Sequence, residues 1–188
     1  MPELILASQS PRRAELLRQI GVGFRAHPAH IDETPLAGET ATDYVLRMAI
    51  EKARAVHALY PGSAVVGSDT AVILDDRILG KPENRETAIA MLVSLGGRSH
   101  RVLTAVALAH GTVESALSDS RVWFRAIDRQ EAARYWDTGE PTDKAGGYAI
   151  QGRGAVFVER IEGSYSGIMG LPLFETAQLL SRIGIRLP

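Results

Sequence analysis

The 188-residue chain contains no cysteine, which excludes a disulfide framework and thiolate catalysis and fits a reducing compartment. A cytoplasmic location is therefore expected. Neither charge sign dominates: 21 Lys and Arg stand against 22 Asp and Glu, for a net charge of −1. Such a chain has no global attraction for nucleic acid or an anionic membrane, so any polyanion site must be local. Long apolar runs are missing as well. The run ahead of Arg12 and Arg13 is about five residues long and precedes the basic residues, which fits neither a signal peptide nor a membrane span. No repeat, low-complexity tract or long Pro/Gly/Ser linker divides the sequence, and one domain over residues 1–188 is expected. What is present is a 45% hydrophobic content, enough to bury a substantial core.

The apolar pattern predicts a mixed α/β order. Leu4 to Ala7 reads as a short buried strand. Ser10 as N-cap and Pro11 at the first helical position open a helix to about Ile20, stopped by Gly21. Apolar residues at three- and four-residue spacing predict a helix from Ala41 to Leu59. Residues 64–74 and 101–109 are β-branched and aliphatic, as buried strands are. Helices are expected over 84–95 and 128–137, the second capped by Asp128, with a half-buried strand from Ser118 to Ile127. A strand from Ala155 to Ile161 and a helix from Leu171 to Ile183 complete the chain.

Several residues point to anion and metal chemistry. Arg12 and Arg13 open a helix directly after Ser8 and Ser10. A positive helix end, two hydroxyls and two guanidiniums make a phosphate cradle, or else a solvated surface. Asp69 sits inside the apolar run 64–74, where a carboxylate is costly unless paired. At the end of a buried strand it would suit a Mg²⁺ ligand or a general base, and the bland reading is a turn or edge residue. Lys52 lies on the apolar stripe of the 41–59 helix and must snorkel out or meet a negative partner. Glu51, four residues after Arg47, reads first as an ordinary surface pair. Lys81 is held by the rigid Pro82. Residues 142–155, with four glycines around Lys144, Tyr148 and Gln151, form either a flexible loop or bulged strand, or a close approach to a ligand; Tyr148 suits the core equally.

Three decoys fail. Gly80-Lys81 runs into Pro82 and lacks the phosphate-loop pattern. His27, His30, Asp32 and Glu33 follow no zinc spacing, although Glu33 can serve a hard cation. Gly163 to Gly167 centres on Tyr165, not Ser, and is no nucleophile elbow.

LASQSPRRAELL at 6–17, EKA at 51–53, VVGSDTAV at 65–72 and LGKP at 79–82, followed in order by DKAGGYAIQG and GSYSGIMGLPLFET, resemble the Maf family over nearly the whole chain. The resemblance implies an α/β fold with a mixed elongated central sheet flanked by helices, two lobes around a substrate cleft, and a likeness to inosine triphosphatase. It also implies a homodimer, a divalent cation (Mg or Mn), and cleavage of a nucleoside triphosphate to monophosphate and pyrophosphate. Arg12, Thr70 and Gln151 are similar to the branch that takes UTP and dTTP rather than 7-methyl-GTP, where a bulky aromatic replaces the first arginine. Gln151 carries both a donor and an acceptor for a pyrimidine edge.

In this reading Asp69 is the general base or metal ligand, and Glu33 or Glu51 adds a carboxylate to the metal. Arg13, Lys52 and Lys81 neutralise phosphate charge, with Ser8, Ser10 and Lys144 in supporting places. The alternatives are a pyrophosphatase for 7-methyl-GTP or other modified nucleotides, and a non-enzymatic, nucleotide-binding regulator of septum formation acting through a division-related protein partner. Direct nucleic-acid or membrane binding is not expected.

Overall fold

The computed structural model describes residues 2–187, so the ends of the expected 1–188 domain, Met1 and Pro188, lie outside the described residues. Among the described residues seven strands form one mixed sheet: β1 (Leu4–Leu6), β2 (Arg25–Ala26), β3 (Ala64–Leu74), β4 (Arg77–Leu79), β5 (Ser99–His110), β6 (Thr112–Phe124) and β7 (Val158–Glu162). Their order is β2-β1-β3-β5-β6-β7, with β4 paired to β3. β1 runs parallel to β2 and β3, whereas β3–β4 and β6–β7 are antiparallel.

The helices are α1 (Pro11–Gln19), α2 (Ala41–Leu59), α3 (Arg85–Leu95), α4 (Arg129–Trp136), α5 (Tyr165–Met169) and α6 (Leu173–Arg182). Their starts follow local chemistry. Thr40, Asn84 and Asp128 accept the backbone N–H groups of Asp43, Thr87 and Glu131, each satisfying one orphan donor of a first turn. In α2 the residues at three- and four-residue spacing, Val45, Met48, Ala49, Lys52, Ala53 and Val56, are the buried ones.

The chain divides into two compact units. The first comprises Met1–Asp69, Thr104–Ser118 and Gly170–Pro188; the second comprises Thr70–Leu103 and Asp119–Met169. The core of the second includes Val72, Leu74, Ile89, Leu92, Phe124 and Phe157.

Five expectations are corrected. Asp69 lies mid-strand, with five residues of β3 on either side, not at its end. β6 starts at Thr112 and stops at Phe124, because Gly111, at φ 71°, makes a tight turn from β5 that lets pairing begin through polar residues. Residues Arg153–Phe157 are a 3-10 helix, and the strand begins only at Val158. Residues 142–155 form neither a flexible loop nor a bulged strand but a succession of 3-10 turns, where Gly146 and Gly147, both at φ 70°, take conformations costly for other residues. The C-terminal helix begins at Leu173, with Pro172 as its N-cap.

Candidate active site

In the first unit β1 delivers the chain to α1 through Ser8 and Ser10. Ser10 occupies the N-cap, but its side chain makes no capping bond; instead its N–H donates to Ser8 Oγ at 3.1 Å. Ser8 is buried. No acidic residue stands in the first turn of α1, where Arg12 and Arg13, both partly buried, face the positive end of the helix. The Arg13 fork is fixed by its Nε donating to the Gly170 carbonyl at 2.7 Å and one terminal nitrogen to Ser8 Oγ at 3.3 Å. Burial holds the Arg13 pKa below the ordinary guanidinium value; Asp69 and Glu33 oppose that shift and Arg12 reinforces it.

α2 and β3 build the centre. Lys52 Nζ is 2.7 Å from Asp69 Oδ1 and 2.7 Å from Glu33 Oε1. Lys52 is 7% and Asp69 8% exposed, so this pairing is screened little by solvent. The lysine on the apolar stripe thus meets a negative partner, and the carboxylate within the apolar run is paired. α2 also secures the Glu33 loop: Tyr44 donates its hydroxyl to the Glu33 carbonyl at 3.0 Å, and Arg47 donates to the Thr34 carbonyl at 3.2 Å. Burial pushes the Tyr44 phenol up to about 12, with the charges of Asp69 and Glu33 adding to it. Hydrogen bonding to Arg47 at 2.6 and 2.7 Å draws the Glu39 carboxyl down to about 2.

Of the three carboxylates expected at a metal, Glu33 and Asp69 meet at Lys52, whereas Glu51 lies 3.5 Å from Arg47 in the ordinary i,i+4 pair. Among the described residues no three His, Asp or Glu side chains converge as a metal cage. The point shared by the Glu33 and Asp69 oxygens is held by Lys52 Nζ, so a hard cation bound by these two carboxylates would have to take the place of the ammonium and complete its shell with phosphate and water.

Thr70, Lys81, Lys144 and Gln151 belong to the second unit. Thr70 is partly exposed, and Lys81 and Gln151 are exposed. Lys144 pairs with Asp143. The Lys81 loop joins the glycine-rich segment through Gly146 N–H, which donates to the Gly80 carbonyl at 3.0 Å. Tyr148 is a core residue, its hydroxyl 2.7 Å from His100 Nε2.

Sequence reasoning missed Tyr44, Ser68 and Gly67. Ser68 Oγ lies 2.8 Å from the Ala105 carbonyl and 3.0 Å from the Gly170 carbonyl, so its single proton is shared between Ala105 and the carbonyl that also holds Arg13. At Gly67 an added Cβ would stand 2.3 Å from the Ala49 carbonyl oxygen, so α2 approaches β3 only because the side chain is absent. A lone glycine inside a strand is the signal that could have revealed it.

The fold and this cluster define a mixed α/β protein that gathers opposite charges on α1, α2 and β3. The Maf-like protein family matches residues 3–183, and the chain belongs to that family. It is 53% identical to the dTTP/UTP pyrophosphatase of Alkalilimnicola ehrlichii, with 98% of this chain and 94% of that protein covered. It is 54% identical to the dTTP/UTP pyrophosphatase of Methylobacillus flagellatus, with 100% and 96% covered. A solved structure, the nucleoside-triphosphatase / dITP/XTP pyrophosphatase of Mycobacterium abscessus, aligns with a TM-score of 0.42 and 20% identity over 66% of this chain and 75% of that one; that likeness is too distant to bear on the site.

Proposed function

We propose that this chain is a nucleoside triphosphate pyrophosphatase that hydrolyses dTTP and UTP to the nucleoside monophosphate and pyrophosphate. Relatives above 50% identity over nearly the full length bear that name, and one geometric observation carries the chemistry: the buried Lys52 ammonium held 2.7 Å from both Asp69 and Glu33. Asp69 takes the proton of a water that attacks the α-phosphorus, and the bond to the bridging oxygen breaks as pyrophosphate leaves. Arg13 and Lys52 offset the charge growing on the leaving group, and Lys81 and Lys144 are assigned the same role. Ser8 and Ser10 hold phosphate oxygens beside the start of α1, and Arg12, Thr70 and Gln151 select the base.

Asp69 and Glu33 would hold a divalent cation, Mg or Mn, with Glu51 as the third candidate. Such a cation supplies Lewis acidity and phosphate orientation when bound. The same reading makes the protein one domain over 1–188, a cytoplasmic homodimer that acts in nucleotide housekeeping.

Pyrophosphate release from a panel of nucleoside triphosphates with Mg²⁺ or Mn²⁺, wild type against Asp69→Asn, tests it. Fast UTP and dTTP cleavage lost in the variant is expected. A preference for 7-methyl-GTP would overturn the base assignment. Nucleotide binding without turnover in the wild type would point instead to a regulator of septum formation that works through a division-related partner.

A further inference from the structure

Two side chains left without a role by this chemistry hold the segment on both sides of Gln151. Tyr135, on α4 and 4% exposed, donates its hydroxyl to Glu140 Oε1 at 2.5 Å and accepts the Ala149 N–H at 3.1 Å. The Glu140 carboxylate in turn accepts the Arg153 N–H on Oε2 and the Gly154 N–H on Oε1, each at 3.0 Å. Three backbone donors, one before Gln151 and two after it, therefore end on a single phenol–carboxylate pair.

The backbone is shaped to receive that pair. A Cβ at Gly152 would lie 2.3 Å from Glu140 Oε2, and one at Gly154 would lie 2.7 Å from the Tyr135 hydroxyl. The Tyr135 ring is itself fixed edge-on to Phe157, with centroids 5.1 Å apart. Burial alone would raise the Glu140 pKa, but the bonds from Tyr135, Arg153 and Gly154 together outweigh it and leave the carboxyl below its ordinary range. The acceptor is thus ionised at neutral pH, where bonds to it are the stronger kind.

We propose that Glu140 and Tyr135 are positioning residues for base selection, fixing the backbone from which Gln151 reads the pyrimidine. This rests on the reading of Gln151 as the base contact. An amide that turns over freely satisfies the uracil edge and the reversed cytosine edge alike. Preference for uracil therefore needs a fixed amide, and fixing starts at the backbone.

The experiment compares kcat and KM for UTP and CTP in the wild type, Gln151→Ala, Glu140→Gln, Tyr135→Phe and the Glu140→Gln/Gln151→Ala pair, with amide hydrogen exchange at Ala149, Arg153 and Gly154. In Glu140→Gln the ratio of kcat/KM for UTP over CTP is expected to fall by about tenfold, the worth of roughly one hydrogen bond, mainly through KM. The three amides should exchange faster, and the double variant should be no less selective than Gln151→Ala alone. Tyr135→Phe should give the same direction with a milder perturbation, which keeps the test available where Glu140→Gln folds poorly. A ratio that falls in Gln151→Ala but in neither clamp variant would overturn the proposal. A ratio that is unmoved by Gln151→Ala would instead remove Gln151 as the base reader, and the positioning role with it.

Discussion

Removing Lys52 would leave Asp69 buried at 8% exposure beside the Glu33 carboxylate. Loss of one partner of a buried pair costs about 3–5 kcal/mol, and the half-exposed Glu33 side chain places this case near about 3. That lies within the roughly 5–15 kcal/mol by which a domain is stable, so the variant still folds. Lys52→Met should therefore lower the unfolding free energy from urea titration by that amount and lower turnover, and adding Asp69→Asn should recover at least about 1 kcal/mol. Strict additivity of the two changes would place the lysine elsewhere. His100 poses a second residue-scale test. Burial pulls it down to about 4 from an ordinary 6.5, and Nδ1 has no hydrogen-bond partner among the described residues. The unfolded chain takes up the proton first as pH falls, so stability is full above about 6.5 and declines toward about 4 by up to roughly 1.4 kcal/mol per pH unit. Thermal unfolding of His100→Gln should show a shallower acid decline than the wild type; identical slopes would assign the decline to other groups.

At the scale of elements, the approach of α2 to β3 decides whether Lys52 can reach Asp69. Gly67 permits that approach, since its Cβ would also stand 2.7 Å from Ala53 N. Both neighbours are main-chain atoms and cannot rotate away. Gly67→Ala should cost about 1–3 kcal/mol by overpacking and should slow UTP hydrolysis, because the helix carrying Lys52 must shift; full activity with lowered stability would show that the ion pair follows the helix. The same elements show what was legible beforehand. α2 was readable over its whole length because a long amphipathic period and strong end signals agree. A negative partner for Lys52 was one of the two readings an apolar stripe leaves a lysine, the other being that it snorkels to solvent. Glu33 as a second partner was not readable, because its loop carries no period and is placed by Tyr44 and Arg47 across a turn of chain. Nor was the clamp on the glycine-rich segment: Glu140 lies 13 residues before the Arg153 N–H it accepts, and no local pattern encodes such a contact.

The two compact units are not consecutive stretches of chain. The boundary falls inside β3 at Asp69/Thr70, inside β5 at Leu103/Thr104 and inside β6 at Ser118/Asp119, so three strands run from one unit into the other. A unit that unfolded alone would have to release half of each of these strands while the other half kept its backbone hydrogen bonds. Such a release would cut backbone pairing inside three strands at once, and a single cooperative transition is therefore the expected outcome. The absence of a linker in the sequence led to the expectation of one domain, and composition held no sign of where the two units divide. Both tryptophans, Trp123 and Trp136, lie in the second unit, which makes the single-domain proposal easy to test. Their fluorescence follows the second unit alone, whereas far-UV circular dichroism follows the helices of both. Urea titrations read by the two probes should coincide in one transition. A fluorescence midpoint displaced from the dichroism midpoint would mean that the units unfold separately, and the chain would then have to be treated as two domains threaded by shared strands.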